Sequence, residues 1–321
     1  MQAPFADPLL GLERLRTSLP LVGRDRELHA ISGLLDTIAF NLPTGARALT
    51  ISGEMGVGKT RLLAQMCLEA RERGFLVLEA NAYESGSTFP YFPFIEALRP
   101  LIRTTPIARL ASYVGCDTSV PTGIDVSGEI SWTGSALVTA LTRLFPELPA
   151  LLQVTPVAEI LTPEQEKFRL LDAIATLLER IAAEQPILLG IDSLQWADSA
   201  SLELMFYLIV RLRTSRVALV GATRPPRPPT TQEDVRASKV AIRALGNLMQ
   251  QGMLLLLPLG PLNADAAAQH LSALLPGVLP ETIAQPLLTR AEGNPFFLEE
   301  LVRSLTLNEH LVLHNGEWNP V

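Results

Sequence analysis

The chain has 321 residues, of which 48% are apolar and 18% charged, enough to build one large packed domain or two moderate ones and too apolar for a disordered chain. Lys plus Arg number 26 against 33 Asp plus Glu, a net charge of −7 that argues against a nucleic-acid-coating surface, whose footprint is clustered positive charge. Only Cys67 and Cys116 are present, and Cys67 falls on the apolar face of a predicted helix, as a buried thiol in a reducing compartment would.

Residues 1–20 read as a loose lead-in with three prolines. They lack the basic stretch and long apolar stretch of a secretory leader. The longest greasy run, Met253 to Gly260, is too short to cross a bilayer and contains Pro258. A soluble, cytoplasmic chain with no membrane partner is expected. Leu21-Val-Gly-Arg-Asp-Arg-Glu-Leu28 follows, then an amphipathic helix to about Phe40 with Leu28, Ile31, Leu34 and Leu35 on one face.

The short apolar run Ala48-Leu-Thr-Ile51 leads into Gly53-Glu-Met-Gly-Val-Gly-Lys-Thr60, which matches G-x-x-x-x-G-K-[ST], and a helical pattern continues from Arg61. Strand, glycine loop and helix form the context a phosphate-binding loop requires. Gly53, Gly56 and Gly58 let the backbone wrap a polyphosphate where a side chain would block it. The amides of Glu54, Val57 and their neighbours, with the first helical turn, offer donors and a favourable dipole to the anion. Lys59 is placed to reach the β and γ phosphates, and the Thr60 hydroxyl to take one position on magnesium. The motif predicts binding of a nucleoside triphosphate, ATP or ADP, with Mg2+.

Gly74 ends the helix, and Phe75 to Ala80 reads as a buried strand. A Pro and aromatic stretch, Tyr83 to Phe94, leads into a helix over 95–102. From Thr104 to Pro163, Pro, Gly and Ser break the pattern, and an irregular helical insertion is expected. A long helix over 163–183 carries Phe168, Leu171, Ile174, Leu177, Leu178 and Ile181 at helical spacing. Strands over 185–192, 216–224 and 253–257, with helices over 201–212 and 240–249, complete an alternation that implies a mainly parallel sheet covered on both faces. Pro225 to Thr231 holds four prolines and reads as an exposed loop. Beyond Asn263 the pattern is helical only, over 263–274, 280–291 and 295–306. A hairpin around Asn315-Gly316 closes the chain; either it packs on those helices or the sequence continues into a further region. The expected organisation is therefore a P-loop core over 21–262, a small all-α subdomain over 263–308 and a hairpin tail over 309–321.

Asp192 ends an apolar strand, where a carboxylate that holds magnesium through water is expected; a strand-terminal Asp also caps turns. Ser193 follows, and a hydroxyl is a poor base for activating water, so binding with slow turnover is expected. Glu54, Glu84 and Asp198 are candidates to substitute. Arg224, directly after a strand, suits a γ-phosphate contact and transition-state charge; the alternative is a solvent-facing residue beside the Pro-rich loop. Pro295 reads as the first-turn proline of a helix capped by Asn294.

In their order these segments resemble the nucleotide-binding module of the STAND class of signal-transduction ATPases, as in bacterial ATP-dependent LuxR-type regulators and the Orc1-like AAA ATPase regions linked to class III adenylate cyclases. Leu21 to Leu28 is similar to the opening motif, Leu188 to Asp198 to the second acidic motif, Thr223-Arg224 to the γ-phosphate sensor and Ala291 to Leu301 to the Gly-x-Pro helix. Pro90 to Leu98 is a further family-like segment. The resemblance implies that Val22 and Arg24 lie near adenine and ribose, that Asp192 serves magnesium, and that Pro295 closes the pocket. It implies a regulatory switch, coupled to self-association or to a sensor or effector region beyond the chain end. Ser193 departs from the family's usual second acid. A working AAA-type ATPase that loads or remodels is the alternative, and direct DNA binding by this segment is not expected.

Overall fold

A computed structural model describes residues 20–84, 89–116, 123–124, 130–133, 135–156, 160–225, 245–314 and 316–320. The lead-in, most of the Pro-rich loop with the first half of the helix expected over 240–249, and the turn residue Asn315 lie outside them. Contacts divide the chain into two compact units. The first comprises the described residues of Met1–Ala30, Ser52–Leu62 and Pro258–Val321; the second comprises Ile31–Ile51 and Leu63–Leu257.

The second unit is built on a mainly parallel five-stranded sheet. Its strands are β1 (Ala48–Ser52), β2 (Leu76–Asn81), β6 (Ile187–Asp192), β7 (Val217–Thr223) and β8 (Leu254–Pro258), in the order β2-β6-β7-β1-β8. Helices α1 (Asp25–Ala39), α2 (Lys59–Glu72), α3 (Phe92–Thr104), α4 (Ile107–Val114), α5 (Ala136–Leu141), α6 (Leu148–Leu152), α7 (Pro163–Glu184) and α8 (Ser199–Arg211) alternate with them. A second small sheet forms from β3 (Gly123–Ile124), β4 (Ile130–Thr133) and β5 (Val154–Thr155).

Helix α7 begins where its sequence says it should. Thr162 accepts from the Gln165 amide, the Gln165 side chain returns to the Thr162 amide, Pro163 occupies the first turn, and Glu164 and Glu166 complement the dipole. Leu170, Leu171, Ile174, Leu177, Leu178 and Ile181 enter the main core. Phe168 does not: it is 61% exposed and lies edge-on to Tyr207, 6.0 Å between ring centroids. Strand β6 is buried along its whole length, as a central parallel strand must be. Strand β2, expected to be buried, lies at a sheet edge and alternates, with Glu79 and Asn81 exposed. At the opposite edge Leu255 and Leu256 of β8 are partly exposed. The stretch expected as irregular helix contains the small sheet as well, because Trp132 and Thr133 pair with Val154 and Thr155 across the segment that holds α5 and α6.

Arg47, unremarkable in the sequence, is a buried tie. Its guanidinium donates to the Leu42 carbonyl (2.6 Å), the Arg213 carbonyl (3.1 Å) and Asn41 Oδ1 (3.2 Å), joining the end of α1 to the start of β1. Gly190 of β6 lets helix α2 approach: a Cβ there would sit 3.3 Å from Leu63 Cδ1 and 3.6 Å from Cys67 Sγ.

That close packing fixes the behaviour of Cys67. Burial, with Glu79 nearby, pushes its thiol up to about 12. The folded state therefore favours the protonated thiol, and this contribution to stability is present below the ordinary thiol range and is lost as pH rises through the folded value. At pH 8 a disulfide exchange reagent is expected to modify the native protein slowly and the urea-unfolded protein at once. Prompt reaction of native Cys67 would show that α2 does not seal against β6.

The first unit joins the loop after β1 to α9 (Ala264–Leu274), α10 (Glu281–Ala291), α11 (Pro295–Leu307) and a hairpin of β9 (Leu311–His314) with β10 (Glu317–Pro320). The hairpin rests on these helices. Leu311 is buried with Leu271, Leu287, Leu298 and Val302, and Trp318 Nε1 donates to the Pro276 carbonyl at 3.2 Å. Among the described residues, no helix is long and apolar enough to cross a membrane.

Candidate functional site

The glycine loop runs from Gly53 to Gly58, and each of its carbonyls has a protein partner. Lys59 Nζ reaches back across the loop and donates to the carbonyls of Gly53 (2.8 Å) and Glu54 (2.7 Å). The Met55 carbonyl accepts from Asn294 Nδ2 (3.0 Å), and that of Gly56 from the Phe296 amide (3.2 Å). Arg24 Nη2 donates to the Val57 carbonyl (3.0 Å), and the Leu62 amide to Gly58 (2.9 Å) as α2 begins. In a planar trans peptide the carbonyl and the following N–H point in opposite directions. The amides of Gly56, Val57 and Gly58, each following an anchored carbonyl, therefore point away from that carbonyl's partner. Such a row of fixed N–H dipoles ahead of a helix N-terminus, with an ammonium held across it, is an anion cradle that needs little reorganisation. These residues fit a polyphosphate. The exposed Thr60 hydroxyl follows where the loop enters α2.

Gly56, at φ +84°, is where the cradle and the helical segment touch. A Cβ there would lie 2.6 Å from Asn294 Oδ1 and 2.9 Å from Phe296 Cβ, so any side chain would pry them apart. Gly293, at φ +74°, makes the tight turn from α10 into α11, and a Cβ there would collide with the Leu262 carbonyl.

Leu259-Gly-Pro-Leu262 is the segment on which these pieces converge. The Leu259 amide donates to Ser52 (2.7 Å), the Gly260 carbonyl accepts from Arg24 Nη2 (2.7 Å), and the Leu262 amide donates to Gly293 (2.7 Å). Val22 packs beside Leu262, Ala266, Ala267 and Leu288. Arg24 is 6% exposed, with its guanidinium bound to backbone carbonyls and 3.6 Å from Glu27; desolvation lowers its pKa and Glu27 opposes that. It is a buried cross-link, not merely the polar face of a helix start. Pro295 takes the first position of α11, capped by Asn294 Oδ1 on the Phe297 amide at 3.2 Å, and its neighbour Phe296 contacts the loop.

Two charged groups unforeseen in the sequence stand beside this site. Arg61, in the first turn of α2, is partly desolvated, which lowers its pKa, while Glu299 of α11 opposes that shift. Glu299 Oε1 also lies 3.2 Å from Nε2 of the buried His270 on α9.

Asp192 and Arg224 belong to the second unit. Asp192, 8% exposed, ends β6 and accepts the Ser193 amide on Oδ1 at 2.6 Å. Ser193 adopts a left-handed conformation, φ 58° and ψ 39°, which turns the chain into a short helical turn over Leu194–Trp196. From that turn Gln195 Oε1 accepts the Arg224 amide at 3.2 Å, so the ends of β6 and β7 are tied together. Asp198 is a cap. Its carboxylate accepts the Ser201 amide (2.9 Å), the Ser201 hydroxyl (2.5 Å) and the Tyr91 amide (3.3 Å), so it is engaged on both oxygens in fixing the start of α8. The Tyr91 bond also gives the aromatic segment at 90–98 a definite place against the acidic motif.

The sequence reading missed the loop contacts of Asn294, the convergence on 259–262, and the Arg61, Glu299 and His270 group. One signal was available: a cap residue with a donor as well as an acceptor, Asn where Ser or Asp would also cap.

The sequence matches the family model for the AAA ATPase domain over residues 20–220. An uncharacterized protein of Rhizobium meliloti (strain 1021) is 23% identical over 295 residues, 90% of this chain; the chain spans 25% of that relative's length. Among solved structures, AMPPCP-bound DnaA from Aquifex aeolicus aligns with TM-score 0.45 and 12% identity, over 89% of this chain and 61% of that one. A replication initiator DnaA bound to AMPPCP and single-stranded DNA aligns with TM-score 0.43 and 13% identity, over 91% and 64%.

Proposed function

Because this chain belongs to the AAA ATPase domain family, we propose that it binds ATP or ADP with magnesium and acts as a nucleotide-governed switch module with slow hydrolysis. The observation that carries this reading is the anchoring of the Met55, Gly56 and Val57 carbonyls by Asn294, Phe296 and Arg24, which leaves the amides of Gly56, Val57 and Gly58 pointing away from those anchors and available to an anion. Two of those anchors come from the turn into α11, so the grip on phosphate and the seating of the helical segment are one event within the first unit. Lys59 supplies a positive charge already held across the loop, and Thr60 a hydroxyl for the metal. Asp192 for magnesium and Arg224 for the γ phosphate belong to the same proposal, the first ending a buried strand and the second directly following one. The STAND-type regulatory role, with self-association or a sensor and effector elsewhere, extends it.

Slow turnover follows from what surrounds Asp192. Ser193 offers a hydroxyl where a carboxylate would activate water, and Asp198 is engaged as a cap. Steady-state ATPase turnover in saturating Mg-ATP is expected far below about 1 s⁻¹, the lower end for working phosphoryl-transfer enzymes. A rate at or above that value would favour the working-ATPase reading over the switch. In equilibrium titrations with ATP in the presence and absence of magnesium, Asp192→Asn is expected to weaken the magnesium dependence of binding while leaving metal-free binding in place.

A further inference from the structure

Asn294 uses both ends of its carboxamide, and only one end serves its own helix. Oδ1 accepts the Phe297 amide and caps α11, the ordinary role of an Asn before a first-turn proline. Nδ2 donates to the Met55 carbonyl at the tip of the phosphate loop, and the next bond along, Phe296 amide to Gly56 carbonyl, follows from where that cap is placed. The Met55 carbonyl and the Gly56 amide share one peptide plane, so holding the first outward points the second inward. Gly56 leaves no side chain to keep the two segments apart.

We propose that Asn294 is a positioning residue through which the helical segment regulates the affinity of the phosphate loop for nucleotide. This rests on the nucleotide reading above and adds a regulator to it. When α11 is seated, the 55–56 peptide is locked with its donor toward the phosphate; when α11 withdraws, that peptide is released and the cradle loosens. Any event that moves α11 therefore changes nucleotide affinity, and bound nucleotide resists withdrawal of α11 by the same factor.

Ser and Asp cap a helix as well as Asn does but lack the carboxamide donor, so they separate the two roles. The experiment compares the parent with Asn294→Ser, Asn294→Asp and Lys59→Ala, reading affinity for a fluorescent ADP analogue, hydrogen exchange over 53–60 without nucleotide, and the urea midpoint. Asn294→Ser is expected to keep the parent midpoint, exchange faster over the loop, and bind about three- to tenfold more weakly, the range for one lost hydrogen bond. Asn294→Asp, with a carboxylate beside the loop, is expected to bind more weakly still. Parent affinity and parent exchange in both variants, with binding weakened tenfold or more in Lys59→Ala, would reduce Asn294 to a cap and leave the nucleotide reading standing. A parent that takes up no analogue would overturn the nucleotide reading and the regulatory claim together.

Discussion

Replacing Lys59 by Ala is expected to weaken ATP binding by about ten- to a hundredfold while the chain stays folded. The ammonium is a donor to two loop carbonyls, at 2.8 and 2.7 Å, and lies where a phosphate would be cradled. A hydrogen bond to a charged group contributes about 1.5–3 kcal/mol, and each 1.4 kcal/mol is tenfold in affinity. The loss should be greater for ATP than for ADP if the γ phosphate is among the ammonium's partners. The fold should tolerate the change, because of the two carbonyls that lose Lys59 only that of Gly53 belongs to a buried residue; Glu54 is exposed and Lys59 itself half-buried. Equilibrium titration with ATP and ADP, alongside circular dichroism of the variant, checks both halves. Unchanged ATP affinity in a folded Lys59→Ala protein would remove the loop from the binding site.

Arg24→Met carries the second large effect, and it falls on stability as well as binding. Met keeps much of the aliphatic stem but removes the donors that reach the Val57 carbonyl at 3.0 Å and the Gly260 carbonyl at 2.7 Å. Val57 is buried, and its carbonyl left without a partner costs about 1–3 kcal/mol, whereas the carbonyl of the exposed Gly260 can turn to water, so a loss of about 1–3 kcal/mol is expected from urea unfolding followed at the first unit. Glu27, 3.6 Å away, would also lose its charged neighbour. Because the Val57 carbonyl orients the Gly58 amide, nucleotide affinity should fall with stability. Arg24→Lys should recover only part of either, since one ammonium lacks the planar fork that reaches two carbonyls. A fully stable Arg24→Met protein with normal ATP affinity would mean that this cross-link is not what holds the loop.

These two residues also mark how far the sequence could be read. Lys59 was legible because everything that gives it meaning is local: a strand in front, glycines at set intervals, a helix behind. Helix α7 was legible at its start for the same reason, since Thr162, Pro163 and Gln165 form a cap within one turn. Arg24 was not. Its burial depends on a carbonyl 236 positions away, and nothing in the opening motif says that Gly260 will be there. Arg47 is the same case in the second unit. Phe168 misled because helical spacing identifies a face without saying how wide the core behind it is; the core admitted Leu170 instead. The chain's alternation implied a parallel sheet, but the order β2-β6-β7-β1-β8 is a property of long crossovers that no local pattern records. Asn294 was half legible: its acceptor announced a cap, and its donor needed the loop tip to arrive from another part of the chain.

The most direct test asks what the protein already carries. Purified parent protein is denatured, and the released small molecules are separated and identified by their absorbance and mass. One adenine nucleotide per chain, ADP or ATP, is expected from the parent and none from Lys59→Ala prepared in parallel. A parent that releases no nucleotide, and that takes none up when Mg-ATP is supplied at millimolar concentration, would contradict the assignment of the Gly53–Thr60 loop as a nucleotide site.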